Sequence, residues 1–489
     1  MKQSTDKARP YLHFAPKKNW MNDPNGMVYF NGEYHLFFQH NPYDSVWGPM
    51  HWGHAVSKDM INWEELDIAL SPDDLGMIFS GSAVVDWKNT TGFFPEEPGL
   101  VAIFTHHSDR KEGAPAVQSQ SLAYSHDNGR TWVKYEHNPV LIHNTKADFR
   151  DPKVFWHGEL NNWIMVLAAG QAIMIYSSPN LKDWQLESEF GEGIGNHDAV
   201  WECPDLFPLP VENSTEKKWV FIVSIGDNPS LPMGSRTQYF VGDFNGKEFI
   251  AEHKDVRWLD YGMDNYAGVS FSDIPEEDGR RIYLGWMSNW RYANQVPTTG
   301  WRSQMTLPRE LSLTTKNGDY LVKQRPVMEL NQYFIKNKNT KPIHLNREEI
   351  SYFINEPYVN ATFRITNKDA AEYGLKIHYG ERKEAVVFIQ PPGKKAILDR
   401  SQSGITDFSE TFSTKQTVQL EQAEDISMQI IIDASSIELF LNDGEYALTS
   451  LVFPNEICER ISLFAKDGAM DVVENCISVP STDFKKTEE

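Results

Sequence analysis

The sequence predicts an all-β protein, a β-propeller followed by a C-terminal β-sandwich, and three observations carry that prediction. Helical periodicity is almost absent, and short strand-like runs alternate with Gly, Pro, Asn and Asp along the 489 residues. A loose repeat of a Ser or other polar residue, a turn and a Trp recurs at intervals of roughly 50–70 residues, which suits a four-stranded propeller blade with long loops. Beyond Trp301 tryptophan disappears, and alternating strands with regular turns take over from about residue 345.

The elements follow in chain order. In Met27-Val28-Tyr29-Phe30-Asn31-Gly32-Glu33-Tyr34-His35-Leu36-Phe37-Phe38 an Asn-Gly pair separates two aromatic runs, a hairpin signature. The repeat reads Ser57-Lys58-Asp59-Met60-Ile61-Asn62-Trp63, Ser125-His126-Asp127-Asn128-Gly129-Arg130-Thr131-Trp132 and Ser178-Pro179-Asn180-Leu181-Lys182-Asp183-Trp184. In Val241-Gly242-Asp243-Phe244-Asn245-Gly246-Lys247-Glu248-Phe249 a Phe takes the Trp position. Four or five such units fill the chain up to Pro308-Arg309-Glu310-Leu311. The polar run Lys336-Asn337-Lys338-Asn339-Thr340-Lys341 reads as linker. Further on, Ser436-Ile437-Glu438-Leu439-Phe440-Leu441 enters a tight turn at Asn442-Asp443-Gly444. The expected partition is a propeller over 1–315, a linker over 316–344 and a sandwich over 345–489, with Lys485–Glu489 frayed.

Composition narrows the function. With 40% hydrophobic and 23% charged residues the chain builds a large core, which excludes a disordered chain or a fibre. Forty-six Lys and Arg against 68 Asp and Glu give a net charge of −22, which argues against nucleic acid or a membrane surface as partner. The longest apolar run, Ile164–Ala169, is far too short to span a bilayer. Aromatic residues reach 12%; most serve strand cores, and some can serve as platforms for sugar rings. Cys203, Cys458 and Cys476 form neither a disulfide framework nor a zinc motif, and Met1–Pro10 contains no apolar signal core. The expectation is a cytoplasmic protein as written, or a secreted one if a signal was removed.

In the N-terminal repeats, polar residues sit in aromatic or apolar contexts, about once per repeat. They are Trp20-Met21-Asn22-Asp23-Pro24-Asn25-Gly26, Phe79-Ser80-Gly81-Ser82-Ala83, Phe149-Arg150-Asp151-Pro152-Lys153, Trp201-Glu202-Cys203-Pro204-Asp205 and Asp260-Tyr261-Gly262-Met263-Asp264-Asn265-Tyr266-Ala267. The innermost strand of every blade lines the central channel, so these segments should converge and bring Asp23, Asp151 and Glu202 together. Each acid also has an ordinary structural role open to it. Asp23 can form a turn with its own backbone, and Arg150-Asp151 can be a structural ion pair. Trp201 and Cys203 would desolvate Glu202 and raise its pKa, whereas Arg150 would hold Asp151 charged. Three acids without a metal cage suit hydrolysis of an acetal, in which one carboxylic acid protonates the leaving oxygen and one carboxylate acts as nucleophile or base. His51-Trp52-Gly53-His54 lacks the further ligands of a zinc site, and no dinucleotide, P-loop or serine-elbow motif is present.

Trp20–Gly26, Phe149–Pro152 and Trp201–Pro204 resemble, in order and spacing, the three signature motifs of glycoside hydrolase family 32, the invertases, inulinases and levanases. Asp433-Ala434-Ser435-Ser436-Ile437-Glu438-Leu439-Phe440 is similar to that family's C-terminal sandwich. The resemblance implies a five-bladed propeller followed by a β-sandwich, with Asp23 as nucleophile, Glu202 as general acid/base and Asp151 as transition-state stabiliser. It also implies that Asn22, Gln39, Trp47, Phe79, Ser80, Arg150, Tyr266 and Trp290 line the fructosyl subsite. Trp47–His54, Val241–Phe244 and Gly285–Ala293 look most similar to bacterial levanases and exo-inulinases. The expected reaction is retaining exo-hydrolysis of fructans and sucrose, with no metal or organic cofactor. A fructosyltransferase and a non-catalytic fructan-binding protein are the alternatives, and a homodimer through the C-terminal domain is left open.

Overall fold

Every blade of the N-terminal domain starts at the channel and works outward through antiparallel hairpins. The computed structural model describes residues 6–109, 116–339, 341–380 and 382–481, so the tail Lys485–Glu489 lies outside the described residues. Among the described residues, the strands up to Pro326 build five sheets of four principal strands each. Their innermost strands are Asn19–Phe30, Met77–Val85, Arg150–His157, Trp201–Pro210 and Tyr266–Ser270. The ring closes where Trp301-Arg302, from beyond the fifth innermost strand, pairs in parallel with Asn19-Trp20 of the first blade.

The repeat visible in the sequence is the turn between the third and outermost strands of a blade. Ser57, Ser125 and Ser178 end third strands, and Glu64, Val133 and Gln185 begin the outermost ones. The Ser hydroxyls accept from the backbone N–H groups of Met60, Gly129 and Asn180 at 2.8, 2.9 and 3.2 Å. Two residues on, Asp59, Asp127 and Asn180 accept from Asn62, Thr131 and Asp183 at 2.8, 2.8 and 2.9 Å. The Trp of each repeat donates its indole N–H back to the turn, to the carbonyls of Met60, Gly129 and Leu181. These side chains satisfy the backbone groups that a tight turn leaves unpaired.

The C-terminal domain is two packed sheets. One runs in the order Phe334–Asn339, Ala469–Pro480, Val359–Asn367, Asp425–Asp433, Ser436–Leu441, Tyr446–Leu451; the other runs Glu349–Glu356, Cys458–Lys466, Glu372–His378, Glu384–Gln390, Lys395–Gln402, Lys415–Gln419. Val359, Phe363, Leu375, Val387, Ile430, Leu439 and Leu463 fill the space between them, the alternation expected of a sandwich.

The expected linker over 316–344 is instead mostly ordered structure. Asp319–Pro326 is the outermost strand of the fifth blade, paired with Arg309–Lys316 from Arg309↔Pro326 to Lys316↔Asp319. A 3-10 turn over Met328–Tyr333 then leads into Phe334–Asn339, an edge strand paired with Ala469–Pro480. An edge strand is charged where water reaches it, and that polarity made this segment read as a connector.

Buried ion pairs join the two domains. Arg309 donates to Glu438 Oε2 at 2.9 Å and to Asp260 Oδ2 at 3.0 Å, with none of its side chain exposed. His13 bridges Asp433 Oδ2 at 2.7 Å and Glu438 Oε1 at 3.0 Å. Arg400 of the sandwich reaches Asp264 Oδ2 of the propeller at 2.6 Å.

Candidate active site

All five innermost strands break register near their first residues, between Met21 and Pro24, Phe79 and Gly81, Arg150 and Lys153, Glu202 and Asp205, and Tyr266 and Val269. A bulge leaves residues outside the hydrogen-bond ladder and re-aims their side chains. The residues released are Asn22 and Asp23, Ser80, Asp151 and Pro152, Cys203 and Pro204, and Ala267 and Gly268. Asp151, Cys203 and Ala267 adopt the left-handed region, at φ 63°, 47° and 54°. A proline after Asp151 and after Cys203 fits here, because it has no N–H to give to a ladder.

The bulges gather the predicted residues at one mouth of the channel. Asn22, Asp23, Gln39, Trp47, Phe79, Ser80, Arg150, Asp151, Glu202 and Trp290 all line a single cavity of about 480 Å³. Trp290 stacks on Trp20 at 6.1 Å between centroids, and the half-exposed Trp47 packs edge-on to Phe79 at 6.3 Å. Both indoles are therefore held at the rim. Tyr266 is placed differently from the expectation. It is 1% exposed and sits behind Glu202, donating its hydroxyl to Glu202 Oε2, so it bears on the acid rather than on the cavity.

Asp23 Oδ2 accepts from Ser80 Oγ at 2.7 Å, and Oδ1 accepts from Asn22 Nδ2 at 3.0 Å. Burial pushes the Asp23 carboxyl above its ordinary pKa, opposed by these two donors and reinforced by the charge of Glu202. Asp151 is pushed up to about 7, first by burial and then by the charges of Glu202 and Asp23, with Arg150 pulling the other way. Its position is fixed from two sides: Cys203 N–H donates to Oδ2 at 3.0 Å, and its own N–H donates to Thr105 Oγ1 at 3.1 Å.

Two electrostatic expectations are corrected here. Arg150 was expected to hold Asp151 charged, but its guanidinium is committed to Glu202 Oε1 at 2.9 Å and Asp148 Oδ1 at 2.5 Å, and stands 4.0 Å from Asp151. Trp201 and Cys203 were expected to enclose Glu202. Trp201 instead points into the seam between blades, stacked on His197 at 4.8 Å and packed against Phe240, and leaves the Glu202 side chain 22% exposed. Successive side chains of a strand face opposite ways, which is the reason.

Three lining residues carried no sequence signal: His107, Gln118 and Asn294. His107 lies face to face with Phe79 at 4.3 Å. Gln118 donates to His107 Nδ1 at 3.1 Å and accepts from Phe149 N–H at 2.7 Å and Arg150 Nη1 at 3.3 Å. His107 and Gln118 sit on the second and third strands of their blade, outside any motif on an innermost strand; spacing His107 and Gln118 as cross-strand partners of one hairpin was the one available clue.

Comparison with known proteins gives the same architecture and names its family. The model of the glycosyl hydrolases family 32 N-terminal domain matches residues 13–326, and that of the family's C-terminal domain matches residues 329–479. The chain is 48% identical over 474 residues to a levanase of Bacillus subtilis, covering 95% of this chain and 69% of that protein. A levanase of Bacillus sp. strain L7 is 39% identical, and the chain spans 52% of its length and 96% of its own. An extracellular exo-inulinase of Aspergillus niger is 36% identical over 95% of this chain and 93% of its own. Among solved structures, the exo-inulinase of Aspergillus awamori superposes with a TM-score of 0.90 at 33% identity, covering 98% of this chain and 99% of that one. A β-fructofuranosidase of Schwanniomyces occidentalis complexed with fructosyl-erythritol gives 0.88 at 33% identity over 98% and 99%. With both domain models matched end to end over a propeller and its sandwich, the chain belongs to glycosyl hydrolases family 32 and is a glycoside hydrolase.

Proposed function

We propose that the protein is a retaining, exo-acting β-fructofuranosidase that removes terminal β-D-fructofuranosyl units from fructans and sucrose. The observation that carries this reading is a single cavity lined by three carboxylates, Asp23, Asp151 and Glu202, with the indoles of Trp47 and Trp290 on its wall. Below Asp151 and Glu202, Lys153 and Asp205 approach within 3.7 Å, and Ser270 donates to Asp205 Oδ2 through N–H and Oγ at 2.6 and 2.7 Å. The levanases and exo-inulinases among its relatives support the same substrate class.

Asp23 attacks the anomeric C2 as the bond from C2 to the leaving oxygen breaks, and Glu202 gives its proton to that oxygen. The product is a fructosyl ester on Asp23. Glu202, now ionised, takes a proton from water, whose oxygen attacks C2 and releases fructose with retention. Ser80 and Asn22 hold both Asp23 oxygens and favour the ionised nucleophile. Glu202 keeps contact with solvent, which suits repeated proton exchange. Asp151 faces the substrate hydroxyls, and the rim indoles Trp47 and Trp290 receive the sugar faces.

Replacing Asp23 with Ala tests the reading. Release of fructose from sucrose, inulin and levan should vanish while the melting temperature stays near that of the parent; unchanged turnover refutes it. Equal fructose and glucose from sucrose, with the β-anomer first in NMR, identify retaining hydrolysis, whereas a deficit of free fructose identifies transfer.

A further inference from the structure

A second cavity, of about 1100 Å³, opens at the far end of the propeller channel. The innermost strands that begin at the catalytic mouth end here. Val85 closes Met77–Val85, His157 closes Arg150–His157, and Ser272 follows Tyr266–Ser270, and all three line the cavity. Lys153, two residues on from Asp151, already lines this cavity, so at roughly 3.3 Å per residue the two cavities approach to about 7 Å along that strand. Lys153 and Asp205, on its wall nearest the catalytic residues, form a buried cluster with Ser270.

Two features mark this cavity as a binding site. Asp205 lines it at 1% exposure, and its Oδ1 has no hydrogen-bond partner among the described residues, so a buried acceptor is left for a donor from outside the fold. Trp87 lines it at 58% exposure, yet the indole is fixed: its Nε1 donates to Asp273 Oδ1 at 2.8 Å, while Asp273 Oδ2 accepts from Val85 N–H at 3.0 Å. An immobilised, exposed indole costs little further entropy when a ring stacks on it.

The charges define the ligand class. Four cations line the cavity, from Lys88 to Arg281, and four anions, from Glu159 to Glu276, so the wall is formally neutral in a protein of net charge −22. A neutral wall, the exposed Trp87 indole and a buried acceptor fit an uncharged polyhydroxylated molecule. The volume exceeds the roughly 300–1,000 Å³ of small-ligand pockets and suits an oligomer rather than one ring. We propose that this cavity is a non-catalytic site for a segment of a neutral oligosaccharide, its identity as fructan resting on the proposed activity. It would hold the polymer on the protein while chain ends are trimmed at the opposite mouth.

Calorimetric titration of Glu202→Gln protein with a β-2,1-linked fructotetraose tests this, with maltotetraose as the comparison sugar. Adding Trp87→Ala should remove one binding event or weaken it by about tenfold, and Trp87→Phe should keep it. That outcome supports the proposal whether or not the catalytic mouth also binds. Identical titrations with and without Trp87→Ala overturn it, and maltotetraose bound at Trp87 with fructotetraose excluded overturns the fructan assignment. With Glu202 intact, Trp87→Ala should hydrolyse sucrose within about twofold of the parent. Failure of the catalytic reading is seen separately, as turnover surviving in Asp23→Ala.

Discussion

Cys203 holds Asp151 in place: its backbone N–H donates to Asp151 Oδ2 at 3.0 Å, and its sulfur lies 3.6 Å from that same oxygen. The sulfur is also 3.6 Å from Asp23 Oδ2, so one residue contacts two acids from two other blades. Burial and then the charges of Asp151, Asp23 and Glu202 push the thiol well above its ordinary pKa, which keeps it a neutral donor.

A thiol of that kind is inert. Iodoacetamide at pH 8 should leave Cys203 and the buried Cys458 unmodified in the native protein and label the partly exposed Cys476, as read by peptide mass spectrometry. Cys203→Ala should keep the backbone contact and lower kcat by about tenfold, the cost of a weak hydrogen bond to each of two charged groups.

Asp151 sets a pH dependence of stability. Its folded pKa of about 7 lies above its ordinary 3.8, so the folded state binds the proton more tightly than the unfolded chain does. The stability this supplies is fully present below pH 3.8 and is lost as pH rises through 7. Asp151→Asn, which cannot ionise, should melt about 3 °C or more above the parent at pH 8, with the gap closing toward pH 4. Its hydrolytic activity should fall steeply at every pH.

Tyr266→Phe removes the hydroxyl that Glu202 Oε2 accepts and changes nothing that touches the cavity. Burial, then the charge of Glu202, pushes that phenol well above its ordinary pKa, so it donates at every pH of interest. The variant should lose about tenfold in kcat with little change in KM, measured on sucrose. A change in KM alone would place Tyr266 on the substrate instead.

His13 reports on the junction between domains. Burial alone would lower its pKa, but the hydrogen bonds and charges of Asp433 and Glu438 raise it from 6.5 to about 9. The contribution to stability is therefore full below pH 6.5 and is lost as pH rises through 9. His13→Ala should cost about 3–5 kcal/mol in urea unfolding at pH 6, because it leaves Asp433 buried with backbone N–H donors such as those of Tyr11 and Leu12 but without its cation, and Glu438 with Arg309 and the Leu307 N–H, and the deficit should shrink above pH 9.

Much of this was legible in the sequence because the repeat writes its chemistry locally. The Ser, Asp or Asn, and Trp of each outer turn satisfy one tight turn within seven or eight residues, and Asp23-Pro24, Asp151-Pro152 and Cys203-Pro204 carry their bulges in their own composition. What depended on direction or on distant partners was not legible. Trp201 and Glu202 are neighbours in the chain yet face opposite sides of a strand, and Arg150 chooses Glu202, 52 positions away, over the adjacent Asp151. Lys336 and its polar neighbours form an edge strand, whose composition is that of a connector. His107 and Gln118 matter only because two middle strands carry them to the rim.

The interrupted ladders also change what holds each side chain in place. Where an innermost strand gives up its pairing, Asn22, Asp23, Ser80 and Asp151 answer to the pocket they line rather than to the sheet, and their orientation is set by one another and by neighbouring blades.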